Sequence, residues 1–424
     1  ITLDYSKSPP EMYQRVFRNE ELVKERKNEY DKFRTMNSDA KKEDSNKNKE
    51  TNSHKEIFTE KLKGIQNVIH IFIDQTSRDH FRRKLPKTFA WLEKGYVLPE
   101  EEKAKESKYS TKENKQNYNK SVIFEEYETF QFLKSQSAGP YTVINLIPIY
   151  FGLPLQNQMT YEDFLNAQNR KHLNYIKFFK ENGFITGQAY NYCSREIIDL
   201  EADVMKYPYV NFDHEYIMCD PNYSVPMTPY SLIRGSYSYL RRCLYGKDTN
   251  YWEFNYGKEF WQAYPNEKKF LRMGFQDGHE GSGEIIKYLD ENLVEFLQFI
   301  EARGDMKQTA ILMHSDHGLN MPGFYSGFEM EEFWIEKNLP FLYIILPKDT
   351  EKVPIETRRN LKSYEQSMVT ALDINNTFKS LAGSGKEVHN EEGLSLFYPI
   401  ENIENRTCGV FQVKEEDCRC SVPN

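Results

Sequence analysis

Residues 65–77 read IQNVIHIFIDQTS, and the fold turns on how this stretch is read. Val68, Ile69, Ile71, Phe72 and Ile73 are apolar at consecutive rather than alternating positions. A strand covered on both faces needs that pattern, and such strands form the interior of parallel sheets. The run stops at Asp74, which therefore stands at the strand's carboxyl end. In open α/β sheets ligands bind along that edge. One acid alone could equally cap the next helix, so the weight falls on whether the pattern recurs.

It does recur. Residues 270–275 form a second strand candidate, ending at QDGHE with Asp277 and His279. Residues 309–314 form a third, ending at SDHG with Asp316 and His317. Further strands are expected at 122–132, 184–190 and 339–346. Between them lie helical patterns. In 171–182 Leu173, Ile176 and Phe179 share one face and Gly183 ends the helix. In 283–303 Ile286, Leu289, Leu293 and Ile300 keep helical spacing up to Gly304. Ser77 can cap a helix that closes at Gly95, and Asp373 one over 374–382. This alternation predicts an α/β fold, a three-layer α/β/α sandwich around a mostly parallel sheet.

The rest of the chain flanks that core. Residues 1–60 read as an arm and a polar linker, because 36–56 offer almost nothing to bury. The domain is expected over 61–400, with a Tyr- and Cys-rich irregular insertion at about 191–265 and a charged insertion at 99–120. Residues 401–424 form a cysteine-rich tail. The net charge of -8 gives no basic footprint for nucleic acid. No stretch approaches the ~20 apolar residues of a membrane helix. The chain begins at Ile1 rather than Met, which leaves room for an upstream signal or membrane anchor. Cys193, Cys219, Cys243, Cys408, Cys418 and Cys420 are compatible with disulfides of any of fifteen pairings. Sequons stand at Asn119, Asn222, Asn375 and Asn405, of which Asn375 falls in the first turn of a helix and is the poorest acceptor. Cysteines and sequons together point to a secreted or lumenal protein.

Two carboxylates and one imidazole at strand ends suit a divalent metal of Zn or Mn type. A Ser or Thr hydroxyl beside such a metal becomes a nucleophile.

The segments NVIHIFIDQTSRDHFRRKLPKTF, CLYG at 243–246, FQDGHEGSG, TAILMHSDHG and the closing C-x9-C-x-C resemble the sulfatase-like domain-of-unknown-function 229 family of the alkaline phosphatase superfamily. The resemblance runs over roughly residues 65–422 and implies an alkaline phosphatase-like sandwich. It makes Asp74 the first metal-binding acid, with Asp316 and His317 the later pair on the same metal. In YTVINLIPIYFG, Thr142, Asn145 and Gly152 match the nucleophile pattern of the phosphodiesterase branch. Thr142 would attack phosphorus while its oxygen touches the metal, and Asn145 would donate to a transition-state oxygen. Asp277-Gly-His279 departs from the Asp-x-x-x-His of two-metal members, so one metal is expected. His279 then resembles a single substrate-contacting histidine able to protonate a leaving oxygen, and His389 reads as structural. No C/S-x-P-x-R motif follows Asp74, which disfavours sulfatase chemistry.

These features predict a metal-dependent hydrolase or transferase acting on a phosphate ester through a Thr nucleophile. The alternative is a catalytically silent subunit with a structural or assembly role, meeting protein partners through the N-terminal arm.

Overall fold

The computed structural model describes residues 12–44, 62–96, 126–139, 141–152, 174–191, 212–218, 242–320, 331–383, 393–401, 403–409 and 413–419. Its strands are β1 (Asn67–Ile73), β2 (Tyr127–Gln131), β3 (Ile185–Tyr190), β4 (His214–Ile217), β5 (Lys269–Phe275), β6 (Thr309–His314) and β7 (Leu342–Pro347). They form one sheet in the order β2-β7-β6-β1-β5-β3-β4. Every pair is parallel except those made by β7, which is antiparallel to both β2 and β6. β1 lies at the centre, and all seven of its residues are buried.

The apolar run of β1, interrupted only by His70 after Asn67, is explained by what covers each face. Val68 and Phe72 point to one side, where they meet α4 (Thr142–Phe151), α5 (Tyr175–Glu181) and α10 (Ala371–Leu381) through Leu146, Ile149, Phe179, Ile374 and Phe378. Ile69, Ile71 and Ile73 point to the other, against α3 (Pro86–Lys94), α6 (Thr249–Ala263) and α7 (Leu289–Ala302) through Trp91, Leu92, Phe260, Leu293 and Phe296. Each such side chain contributes roughly 1.5–3 kcal/mol when fully buried. Two cores on opposite sides of one sheet make the three layers expected from the sequence.

Several local expectations need correction. The segment after Asp74 is two helices, α2 (Arg78–Lys84) and α3, because Pro86 cannot continue the first. Ser77 does cap α2, accepting from the His80 N–H at 3.0 Å. α10 starts three residues before the expected point. Thr370 is its cap, and Asp373 returns a bond from the third position, which makes a capping box. The N-terminal helix α1 (Glu20–Asp44) runs on into the stretch read as a linker. Lys, Glu and Ala favour helix without burying anything. The region 191–265 is not irregular throughout, since α6 supplies Trp252, Phe254, Phe260 and Trp261 to buried positions. The aromatic density there hid the helical period. Residues 97–125 lie outside the described residues.

α1 is fastened to the sheet edge. Arg26 pairs with Asp213, both nearly buried, and Arg18 pairs with Glu267 at 2.6 Å.

Candidate metal centre and nucleophile

Three neighbouring strands end on the same edge. β1 has β5 on one side and β6 on the other, with Phe72 opposite His314 and Ile73 opposite Phe275. Asp74, the loop 276–279 and the loop 315–318 are therefore brought together by register alone. The ligand atoms of Asp74, Asp316 and His317 lie within 4.8 Å of one another, and all three residues are buried. Among the described residues no other group of three such side chains converges in this way.

The turn that delivers them is tightly specified. Gln75 adopts φ 55°, left-handed backbone that a residue with a side chain enters at a cost. Two bonds compensate: the Gln75 N–H donates to Asp316 Oδ1 at 3.2 Å, and the Thr76 N–H to Ser315 Oγ at 2.8 Å. Ser315 Oγ also donates to the His317 carbonyl at 2.9 Å. A Cβ on Gly278 would lie 2.2 Å from the Asp74 carbonyl oxygen, so only glycine lets the β5 loop approach. Gln75, Ser315 and Gly278 were not picked out from the sequence. The glycines of D-G-H and D-H-G were the available signal.

The donor set fits a cation. His317 Nδ1 donates to the Gly318 carbonyl at 2.7 Å, which leaves the Nε2 lone pair facing the carboxylates. Nε2 is 3.4 Å from Asp316 Oδ2 and 4.0 Å from Asp74 Oδ1. Asp74 Oδ2 and Asp316 Oδ2 are buried and take no hydrogen bond. Burial, then the charge of Asp316, pushes the Asp74 carboxyl well above its ordinary value. Burial also raises Asp316, but His317 and the Gln75 N–H outweigh it and hold Asp316 low. A divalent cation removes the repulsion and supplies the missing partner.

Thr142 opens α4 at the same point. Its Oγ1 is 3.4 Å from Asp74 Oδ1 and 3.4 Å from His317 Nε2. The hydroxyl thus sits at the start of a helix of ten residues, where first-turn N–H groups and the dipole favour negative charge.

Asn145 does not take the role expected of it. Its Oδ1 accepts from the Ala138 N–H at 2.7 Å, and its Nδ2 donates to the Gly139 and Tyr141 carbonyls at 2.8 and 2.9 Å. Both amide hydrogens are consumed in folding the loop before Thr142, so Asn145 positions that loop. His279 lies near the site. Burial, then the charge of His317, lowers its imidazole to about 4. Asp277 is occupied by other side chains: Asn191 and Arg242 donate to it at 2.7 and 2.6 Å.

Cys408 and Cys418 form a disulfide. Cys243 is corrected, since it is a free thiol exposed on a short hairpin. Asn375 is fully buried and donates to the Ile149 carbonyl, whereas Asn405 is exposed. Cys193, Cys219, Cys420, Asn119, Asn222 and His389 lie outside the described residues. No described helix is long and apolar enough to cross a membrane.

Comparison with known proteins gives a family match over part of the chain and a set of solved structures with some likeness to it. Residues 227–424 match the family described as "Protein of unknown function (DUF229)". No curated protein matches the chain by sequence. Among solved structures, the lipoteichoic acid synthase LtaP from Listeria monocytogenes is 12% identical with a TM-score of 0.41, over 71% of this chain and 72% of that one. A protein in the alkaline phosphatase superfamily from Vibrio parahaemolyticus is 13% identical with a TM-score of 0.48, over 79% and 70%. The C-terminal periplasmic domain of EcEptC from Escherichia coli, in complex with Zn, is 11% identical with a TM-score of 0.41, over 75% and 82%.

Proposed function

On the premise that the chain resembles the sulfatase-like DUF229 family of the alkaline phosphatase superfamily, we propose that it is a one-metal hydrolase or transferase of phosphate esters with Thr142 as nucleophile. The observation that carries this reading is the meeting of the Thr142 hydroxyl with Asp74 and His317 at one buried point. Asp74, Asp316 and His317 would hold the ion, of Zn or Mn type. When bound, that ion supplies charge neutralisation and polarises a phosphoryl oxygen.

The chain's own groups do the rest. Thr142 Oγ1 loses its proton to water and forms a bond to phosphorus as the ester oxygen leaves, which gives a phosphothreonine. Water or an acceptor alcohol then attacks the same phosphorus and frees the hydroxyl. First-turn N–H groups of α4 face the charge that builds on the phosphoryl oxygens. His279 offers a ring N–H hydrogen bond to the departing oxygen, which takes its proton from water. The Asn145 amide keeps the 138–141 loop closed so that Thr142 stays in line. The Cys408–Cys418 bond supports a secreted or lumenal setting.

The test is turnover of an aryl phosphodiester with added Zn or Mn. Thr142→Ala should abolish it and leave metal binding within a few fold, and Thr142→Ser should retain part. Full activity in Thr142→Ala would overturn the nucleophile. A parent protein that binds the ion but turns over no phosphate ester would favour the catalytically silent subunit.

A further inference from the structure

The described part of the C-terminal tail lies far in sequence from Thr142, yet it closes on the segment that leads to it. The Cys408–Cys418 bond spans ten residues and packs with Met368 and Val413 in a small separate core. The short turn Glu415–Asp417 sits inside that loop. Immediately beyond it, the tail meets Gln136.

Gln136 is 2% exposed, and both ends of its amide are engaged by the tail. Nε2 donates to the Asp417 carbonyl at 3.1 Å, and Oε1 accepts from the Arg419 N–H at 2.9 Å. The side-chain amide thus pairs with the tail as a strand would. Its own backbone N–H donates to the Val369 carbonyl at 2.8 Å. Two residues on, the Ala138 N–H is held by Asn145. The loop before Thr142 is therefore stretched between two anchors, the tail at Gln136 and the helix at Asn145.

Asp417 reaches the other side of the site as well. Its carboxylate is 3.7 Å from Lys337 Nζ, and both side chains are about nine-tenths buried. Lys337 lies in α8 (Glu331–Asn338), whose carbonyls hold both functional loops. The Lys337 carbonyl accepts from the Gly318 N–H at 2.7 Å, next to His317. The Asn338 carbonyl accepts from the Ser137 N–H at 3.0 Å. A Cβ on Gly318 would lie 1.7 Å from the Glu336 carbonyl oxygen, so the contact between α8 and the metal loop has no slack.

We propose that the disulfide-closed tail is a positioning clip, with Gln136 and Asp417 as its positioning residues, which sets the nucleophile loop against the Asp316-His317 loop. This rests on the reading of Thr142 as nucleophile. A staple that merely added stability could close any surface loop. This one contacts Gln136, six positions before Thr142, and the helix under the metal loop, and it does so through buried polar groups that accept few other geometries.

The test uses the full chain in four forms: Gln136→Met, Gln136→Glu, the pair Cys408→Ser with Cys418→Ser, and that pair combined with Gln136→Met. The readouts are hydrogen exchange at the Ala138 and Gly139 amides, kcat and KM on an aryl phosphodiester, and Zn affinity. Gln136→Met should speed exchange at those amides and lower kcat roughly tenfold, the scale of a sub-ångström misplacement of a reacting group. KM and Zn affinity should stay within about twofold, because the ligands are untouched. The serine pair should do the same, and the combined form should be no worse than either, since all three break one linkage. Gln136→Glu, which keeps the acceptor for Arg419 and loses the donor, should fall between. Unchanged exchange in Gln136→Met, or effects that simply add, would overturn the clip. Gln136→Met alone decides the matter if the serine pair does not fold. A parent protein without phosphoesterase activity would refute the functional reading, and amide exchange would still decide the clip.

Discussion

Replacing Asp74 by asparagine should move stability in opposite directions with and without metal. In the metal-free protein Asp74 and Asp316 face each other, buried, each with an Oδ2 that accepts nothing. An amide at position 74 removes one charge and offers a donor to Asp316. Leaving a buried polar group unsatisfied costs about 1–3 kcal/mol, so the gain should be of that order. With 424 residues and about 2.1 cal/mol/K per residue, the entropy of unfolding is roughly 0.9 kcal/mol/K. The metal-free variant should therefore melt about 1–3 °C above the metal-free parent. Zinc at a hundred times its Kd stabilises the parent by about 2.7 kcal/mol, or about 3 °C. Asp74→Asn should lose most of that response. The sign with pH follows from the raised carboxyl of Asp74. The native state keeps its proton to higher pH than the unfolded chain, so metal-free stability should fall as pH rises towards neutrality, and the variant should lack that slope. Thermal unfolding in chelator and in zinc, for both proteins, reads all of this. A variant that melts lower in chelator yet keeps the full zinc response would refute the assignment and make Asp74 a structural acid.

Three further outcomes follow from the same structure. His70 is fully buried, and burial, then His314 and Arg272, keeps its imidazole well below the ordinary range. The unfolded chain takes up that proton first, so stability should fall as pH drops below about 6.5, by up to about 1.4 kcal/mol per unit; His70→Gln should flatten the slope in urea unfolding at pH 5–7, and an unchanged slope would count against it. Asp213 is raised by burial, but Arg26 and Lys180 reverse this and hold its carboxyl low; Asp213→Asn leaves Arg26 only Glu25 and Glu29 of its own helix, at a cost of about 1–3 kcal/mol, so trypsin should cut within α1 faster, and an unaltered cleavage rate would show that α1 is held elsewhere. Gly278→Ala places a methyl group 2.2 Å from the Asp74 carbonyl oxygen, so calorimetry should show about 1–3 kcal/mol of destabilisation together with weaker Zn binding, and retention of both would mean that the loop can move aside.

What the sequence determined by itself was local. A strand covered on both faces is apolar at most positions of either parity, and β1, β5 and β6 carry that pattern, with acids just past their ends. The order of strands and helices then implied three layers, and the strand ends named Asp74, Asp316 and His317. Other features depended on partners distant in the chain. Asn145 has the right spacing for a transition-state donor, but its amide is spent on residues 138–141 once the loop folds back. Asp277 stands past a strand end as Asp74 does, and the partners that occupy it, Arg242 and Asn191, come from elsewhere in the chain. Burial and the neighbouring His317 lower the His279 imidazole from its ordinary value, which residue type alone does not reveal. The antiparallel direction of β7 and the reach of the tail to Gln136 likewise have no local signal. Side-chain type and spacing say which groups are available. Which hydrogen bonds those groups end up making, and what charge they carry, is set by desolvation and by neighbours that only the packed chain brings within reach.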